Sequence, residues 1–344
     1  MPRNSKKQVQ PKNLVAKIKA KINSYLSRRP HRSFRLTSHR DSVRPLSLPG
    51  YFAFNNHVTK TLWANKKIFI WLGVIYATLY AILIGIGSQE TYQSLSDLMK
   101  EAGDEIVGGD FTQVGQAGLI FMVAATTGLS ATLTEAQQIY AVLLALLVWL
   151  TTVWLLRNRM AGHKVLLRDG LYNAGTPIVS MALVVGLLAI QMIPIGIAAL
   201  GYNLANTAGV LDGGVATMLF WMAAALLAVL SLYWATSTLF ALIIVTLPGV
   251  YPFKAVRTAG DLVLGRRIKI LLRWVWMLLT VVAVWAVVLI PIILIDMWLK
   301  TILPALSWLP LVPVVVLLLS TFATLWISAY VYLLYRKVVD DHSN

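Results

Sequence analysis

Hydrophobic positions along this chain do not alternate with polar ones. They gather into long runs separated by short polar stretches. A run of about 20 apolar residues is the mark of a membrane-crossing helix. Such runs place spans at 68–87, 139–156, 174–200, 215–247, 274–295 and 311–335. The pattern therefore predicts an all-α, polytopic helical membrane protein with six transmembrane helices. The 215–247 run is long enough for two short spans. Residues 231–237 between its halves carry no charge or turn signal, so one long helix is the simpler reading. Two further apolar stretches do not read as spans. Residues 118–133 are short and rich in Gly, Ser and Thr, which suits a re-entrant or interfacial piece. Residues 46–54 are interrupted by Pro49-Gly50 and read as an interfacial turn leading into the membrane.

Composition agrees with this pattern. Of the 344 residues, 58% are hydrophobic and 13% charged, against about 45–50% and about 25% in soluble domains. A soluble enzyme is excluded on that ground. The absence of cysteine excludes disulfides, thiolate metal sites and cysteine nucleophiles.

Charge adds an orientation. The net charge of +16 resides almost wholly in residues 1–67, which hold 16 of the 30 Lys and Arg and a single acid, Asp41. With the N-terminus in the cytoplasm, six spans leave only Lys100 and Lys300 outside. Such an excess on one side predicts N-in and C-in. The first span then reads as an uncleaved signal anchor, since its basic leader is far too long for a cleaved signal peptide. Residues 1–67 form a basic cytoplasmic arm, 68–337 the membrane domain, and 338–344 a short cytoplasmic tail.

Within the arm, Leu14, Val15, Ile18, Ile22, Tyr25 and Leu26 fall on one helical stripe over residues 12–28, with Lys17 and Lys21 along one edge. Lysines so placed lay their stems on lipid and hold their ammonium groups among anionic headgroups. A basic tail that only enforces topology is the alternative. Nucleic acid is the least favoured ligand, because no recognisable binding fold accompanies the charge.

Two tracts read alike. Residues 159–168 and 257–266 share R-x-A-G-x-x-V-L-x-R, and Ile-Pro-Ile recurs at 193–195 and 290–292. These agreements suggest a duplicated hairpin running the same way twice through the membrane, a parallel repeat of the kind many transporters use. After the second copy's Pro248-Gly249 break, Pro252 suits the first turn of a short helix. Its Ala255, Val256, Ala259, Leu262 and Val263 share one face, and that face predicts packing on the membrane or on the other spans. Arg159, Arg168, Arg257, Arg266, Arg267, Lys269 and Arg273 are then candidates for lipid-headgroup contact or topology anchoring.

Pro252-Phe-Lys-Ala255, Leu262-Val263 and 265–271 (GRRIKIL) resemble the cytoplasmic segment of a widespread set of six-helix bacterial membrane proteins. That set includes the membrane-anchoring domain of some glycerophosphodiester phosphodiesterases. The resemblance covers about residues 140–335 and implies a membrane module in a bacterial cytoplasmic membrane, not an activity. The His-Arg-Gly signature of the catalytic domain is missing, for Ser33 follows His31-Arg32 and Asp41 follows His39-Arg40.

Candidate chemistry within the spans is sparse. Glu135, just before the second span, lies among Ser130, Thr132, Thr134, Gln137 and Gln138. Asp296 lies just past the fifth, where interfacial water would solvate it. Gln191 is the clearest intramembrane polar residue, three positions before Pro194. A proline frees the carbonyl four residues back, and Gln191 is placed to bond to that backbone or across helices. No catalytic, cofactor or metal motif is recognised. The sequence thus favours a non-catalytic scaffold or regulatory module with a basic, lipid-facing cytoplasmic surface. The alternative is a small-molecule or lipid transporter built on the parallel repeat, with its path near Gln191 and Pro194.

Overall fold

A computed structural model describes residues 48–84, 134–209, 214–302 and 310–343. The chain divides into two units, Met1–Arg44 and Pro45–Asn344, and all described residues belong to the second. The expected helix at 12–28, with Lys17 and Lys21, lies outside them, as does the apolar 118–133 stretch.

Nine helices are described. They are α1 (Tyr51–Ala64), α2 (Lys66–Leu83), α3 (Glu135–Met160), α4 (Leu167–Ala174), α5 (Ile178–Thr207), α6 (Gly214–Ile244), α7 (Pro252–Val263), α8 (Arg267–Ile302) and α9 (Leu311–Ser343). Among the described residues there is no strand. Six of the helices, α2, α3, α5, α6, α8 and α9, are long and apolar enough to cross a membrane. The fold is all-α, and the chain is a multi-pass helical membrane protein.

Boundaries depart from the hydropathy runs for identifiable reasons. The third span begins at Ile178 rather than 174, because Gly175-Thr176-Pro177 separates it from the short α4. Pro194 sits inside α5 without ending it. The 215–247 run is one helix of 31 residues. The fifth and sixth spans run past their apolar cores, α8 to Ile302 and α9 through Arg336-Lys337 to Ser343. The turn read at 46–54 stops at Gly50. Tyr51 opens α1, a helix that the half-polar pattern of residues 51–64 conceals.

α9 is the hub, packing against α1, α2, α3, α6, α7 and α8. One large core joins Phe54 and Val58 of α1 to Leu72 and Tyr76 of α2. It continues through Leu150, Leu155 and Leu156 of α3, Phe240 of α6 and Tyr330 and Leu334 of α9. A second, smaller core holds Trp285, Leu289 and Ile293 of α8 against Val312 of α9. In lipid such packing gains van der Waals contact rather than escape from water, so close approach matters most. α7 meets that demand. It folds back on α6 after the Pro248-Gly249 turn, where Gly249 takes φ +75°, and presents Ala255, Ala259 and Val263, all fully buried. The face read from sequence thus packs on the spans.

The α5–α6 pair stands apart in its distal half. Among the described side chains from residue 185 to 230 none is buried, whereas Met181, Val184 and Ser231 are. This hairpin closes on itself through Tyr202, Phe220 and Trp221 near its tip.

Candidate site at the arginine end of the bundle

The helix ends that carry Arg157, Arg159, Arg266, Arg267 and Arg273 are drawn together by those arginines. Each guanidinium donates to a main-chain carbonyl. Arg157 Nη1 reaches the Thr246 carbonyl beyond α6 at 3.0 Å, and Arg159 Nη2 reaches Val165 at 2.9 Å, closing the α3–α4 loop. Arg266 Nη1 lies 3.5 Å from the Val338 carbonyl in α9. Arg267 Nη1 donates to Tyr233 at 2.8 Å, with its guanidinium carbon 3.9 Å from that ring's centre.

Arg273 is held by several groups at once. Its Nη2 donates to the Pro49 carbonyl ahead of α1. The guanidinium carbon is 4.2 Å from the Tyr51 ring centre and 5.8 Å from that of Phe54. Its own carbonyl accepts from Tyr330 Oη at 3.3 Å. Arg266 and Arg273, candidates for headgroup contact or topology anchoring, are both buried, 4% and 6% exposed, among carbonyls and aromatic faces.

The physical consequence concerns charge. Arginine keeps its proton in a low-dielectric setting and offers five donors in a planar fork. A carbonyl satisfies a donor without cancelling the cation. These contacts therefore brace the helix ends without themselves cancelling the charge. Arg168, Arg257 and Lys269 remain exposed beside them. Arg168 approaches Asp169 only at 3.9 Å, with side chains 81% and 37% exposed. An ion pair so open to water contributes little.

A cavity of about 410 Å³ opens within this end. Its walls come from α3 (Leu150, Trp154, Arg157), the α4–α5 junction (Asn173, Thr176, Ser180) and the α6–α7 turn (Thr246, Tyr251). The transporter reading would set a cavity beside Gln191. This one lies elsewhere, and Gln191 is engaged: its Oε1 accepts from Thr238 Oγ1 at 2.7 Å across α5 and α6. One turn on, Ser231 Oγ accepts the Ile195 N–H at 3.3 Å, next to the ring of Pro194. The two bonds form a polar seam between α5 and α6.

At the opposite ends of the spans, Glu135 lies in the exposed first turn of α3. Thr134 caps that helix in a reciprocal pair with Gln137, and Gln137 Nε2 also bonds the Ile84 carbonyl after α2 at 2.9 Å. Glu135 thus faces the helix N-terminus, where a negative charge is favourable. Asp296 departs from expectation. It lies within α8, 1% exposed, and pairs with Lys300 one turn later at 2.7 Å. The i,i+4 spacing of Asp296 and Lys300 could have signalled this, since a self-neutralising pair lets a helix continue.

The two R-x-A-G-x-x-V-L-x-R tracts take different local structures. The first straddles the end of α3, where Gly162 has φ +85°; the second lies within α7 and the turn after it. No family model matches this chain, and no curated protein or solved structure does either.

Proposed function

We propose that this protein is a non-catalytic scaffold or regulatory module of a bacterial cytoplasmic membrane, with both termini in the cytoplasm. In this reading the arginine end faces the cytoplasm and holds anionic phospholipid. The observation that carries it is the gathering of basic residues at one end of the spans. Contacts of Arg157 with Thr246 and of Arg266 with Val338 tie together the ends of α3, α6, α8 and α9. The carbonyl partner of Arg157 is neutral and leaves that charge in place, and Arg168, Arg257 and Lys269 are exposed at the same end, which is the condition for attracting a negative headgroup layer. The resemblance of residues 252–271 implies a membrane module and no activity, in keeping with a scaffold.

The test is retention of lipid by the full-length protein. Protein extracted from bilayers of equal phosphatidylglycerol and phosphatidylcholine is expected to keep phosphatidylglycerol in excess when analysed by native mass spectrometry. Equal retention, or turnover of a lipid or soluble substrate by the purified protein, would overturn the reading.

A further inference from the structure

We propose that the cavity at the arginine end is a discrete phosphate-binding site, occupied by the phosphodiester of an anionic phospholipid headgroup or by a soluble organic phosphate. This rests on the reading of the arginine end as an anion-holding surface and narrows it to one place. Arg157 reaches the cavity from α3, and one of its five donors is engaged by the Thr246 carbonyl. None of the residues lining the cavity is a carboxylate, so nothing in its wall neutralises that guanidinium.

The facing wall supplies donors. α5, a helix of 30 residues, begins there, and Thr176, Pro177 and Ser180 line the cavity. At the start of that helix Ile178 and Met181 donate to the carbonyls of Gly175 and Pro177. Val179 and Ser180 lie between them, in the turn where main-chain N–H groups have no intrahelical acceptor. A guanidinium on one side and a helix start on the other form a pair of complementary anion-binding elements. Much of the remaining wall is apolar, with Leu150, Trp154, Val245 and Val250, although Asn173 and Tyr251 also line it. That mixture fits a phosphate attached to a glycerol or acyl portion better than a bare inorganic ion. The volume of about 410 Å³ falls in the range of small-ligand sites.

The experiment uses detergent-purified full-length protein and three probes: short-chain phosphatidylglycerol, short-chain phosphatidylcholine and glycerol 3-phosphate. Binding is read as ligand-dependent thermal stabilisation, which grows with ligand concentration over Kd. Wild type is expected to respond to phosphatidylglycerol and not to phosphatidylcholine. Arg157→Gln is expected to weaken that response by about tenfold in affinity, the loss of a charge-assisted contact. Arg157→Gln also removes the bond to Thr246, so Ser180→Trp provides a second variant. It fills the cavity from the opposite wall with the guanidinium intact and is expected to lose binding as well. Thr78→Ala, on the exposed surface of α2 outside the cavity, is expected to bind as wild type does.

A response to glycerol 3-phosphate as well would support a site open to soluble phosphates; a response to phosphatidylglycerol alone would support the lipid. If phosphatidylglycerol stabilises wild type and both cavity variants equally, the discrete site is overturned while the broader anionic surface stands. If wild type responds to none of the probes, the site is overturned outright.

Discussion

Asp296 shows how one residue pair decides whether a helix can continue through apolar surroundings. Its carboxylate is buried and Lys300 is its ion-pair partner. Removing one member of a buried pair is costlier than removing both, because the survivor keeps its desolvation penalty. Lys300→Met should therefore lower stability by about 3 kcal/mol, whereas Asp296→Leu with Lys300→Met should lie close to wild type. Thermal unfolding in detergent reads the difference; equal losses would mean that Asp296 is solvated. Two glycines provide a second contrast. A Cβ on Gly170 would stand 2.9 Å from Cδ2 and Cγ of Leu155, which is fully buried and has nowhere to go. A Cβ on Gly73 would meet the Phe322 ring at 2.5 Å, but that ring is 36% exposed and can swing outward. Gly170→Ala is expected to cost about 1–3 kcal/mol by overpacking. Gly73→Ala should be nearly neutral, its displacement of Phe322 offset by about 1 kcal/mol of helix propensity.

Among the elements, α1 depends on a contact that no pattern announces. Its docking joins Phe54, packed edge-on to Tyr330 at 4.8 Å, with the Arg273–Pro49 bond and the Asn55–Thr280 bond at 2.9 Å. Arg273→Met should free the chain before α1 while leaving the six long helices in place. Faster hydrogen exchange confined to residues 51–64 would show it; unchanged exchange there would mean that Arg273 does not hold α1. The limits of sequence reading are visible in the same place. Hydropathy locates the centres of the six long helices, because about 20 apolar residues leave few alternatives to a span. It does not locate their ends, since α8 and α9 continue through the Asp296–Lys300 pair and through Arg336-Lys337. It misses α1, whose inward residues, Phe54 and Val58, are only two among polar neighbours. The arginines are legible as positions but not as contacts, because a backbone carbonyl distant in the chain, such as that of Thr246 for Arg157, leaves no mark on the sequence. Gln191 was legible as an interhelical donor or acceptor, while its partner Thr238 was one hydroxyl among several.

Taken whole, the molecule has two unlike ends. At the arginine end, α1, α3, α4, α6, α7 and α9 converge on one core, and cationic side chains brace the helix termini. Away from it, the α5–α6 hairpin buries none of its described side chains between residues 185 and 230. The proposed role requires the converged, positive end to lie on the cytoplasmic side, where Lys and Arg accumulate beside spans. The chain has no cysteine, so single-cysteine variants report topology without background. Ala208→Cys, after α5, and His163→Cys, in the α3–α4 loop, place probes at opposite ends of the spans. In intact cells a membrane-impermeant maleimide should label Ala208→Cys and should reach His163→Cys only after lysis. Labelling of His163→Cys from outside, with Ala208→Cys protected, would put the arginine end on the wrong side of the membrane and contradict the account.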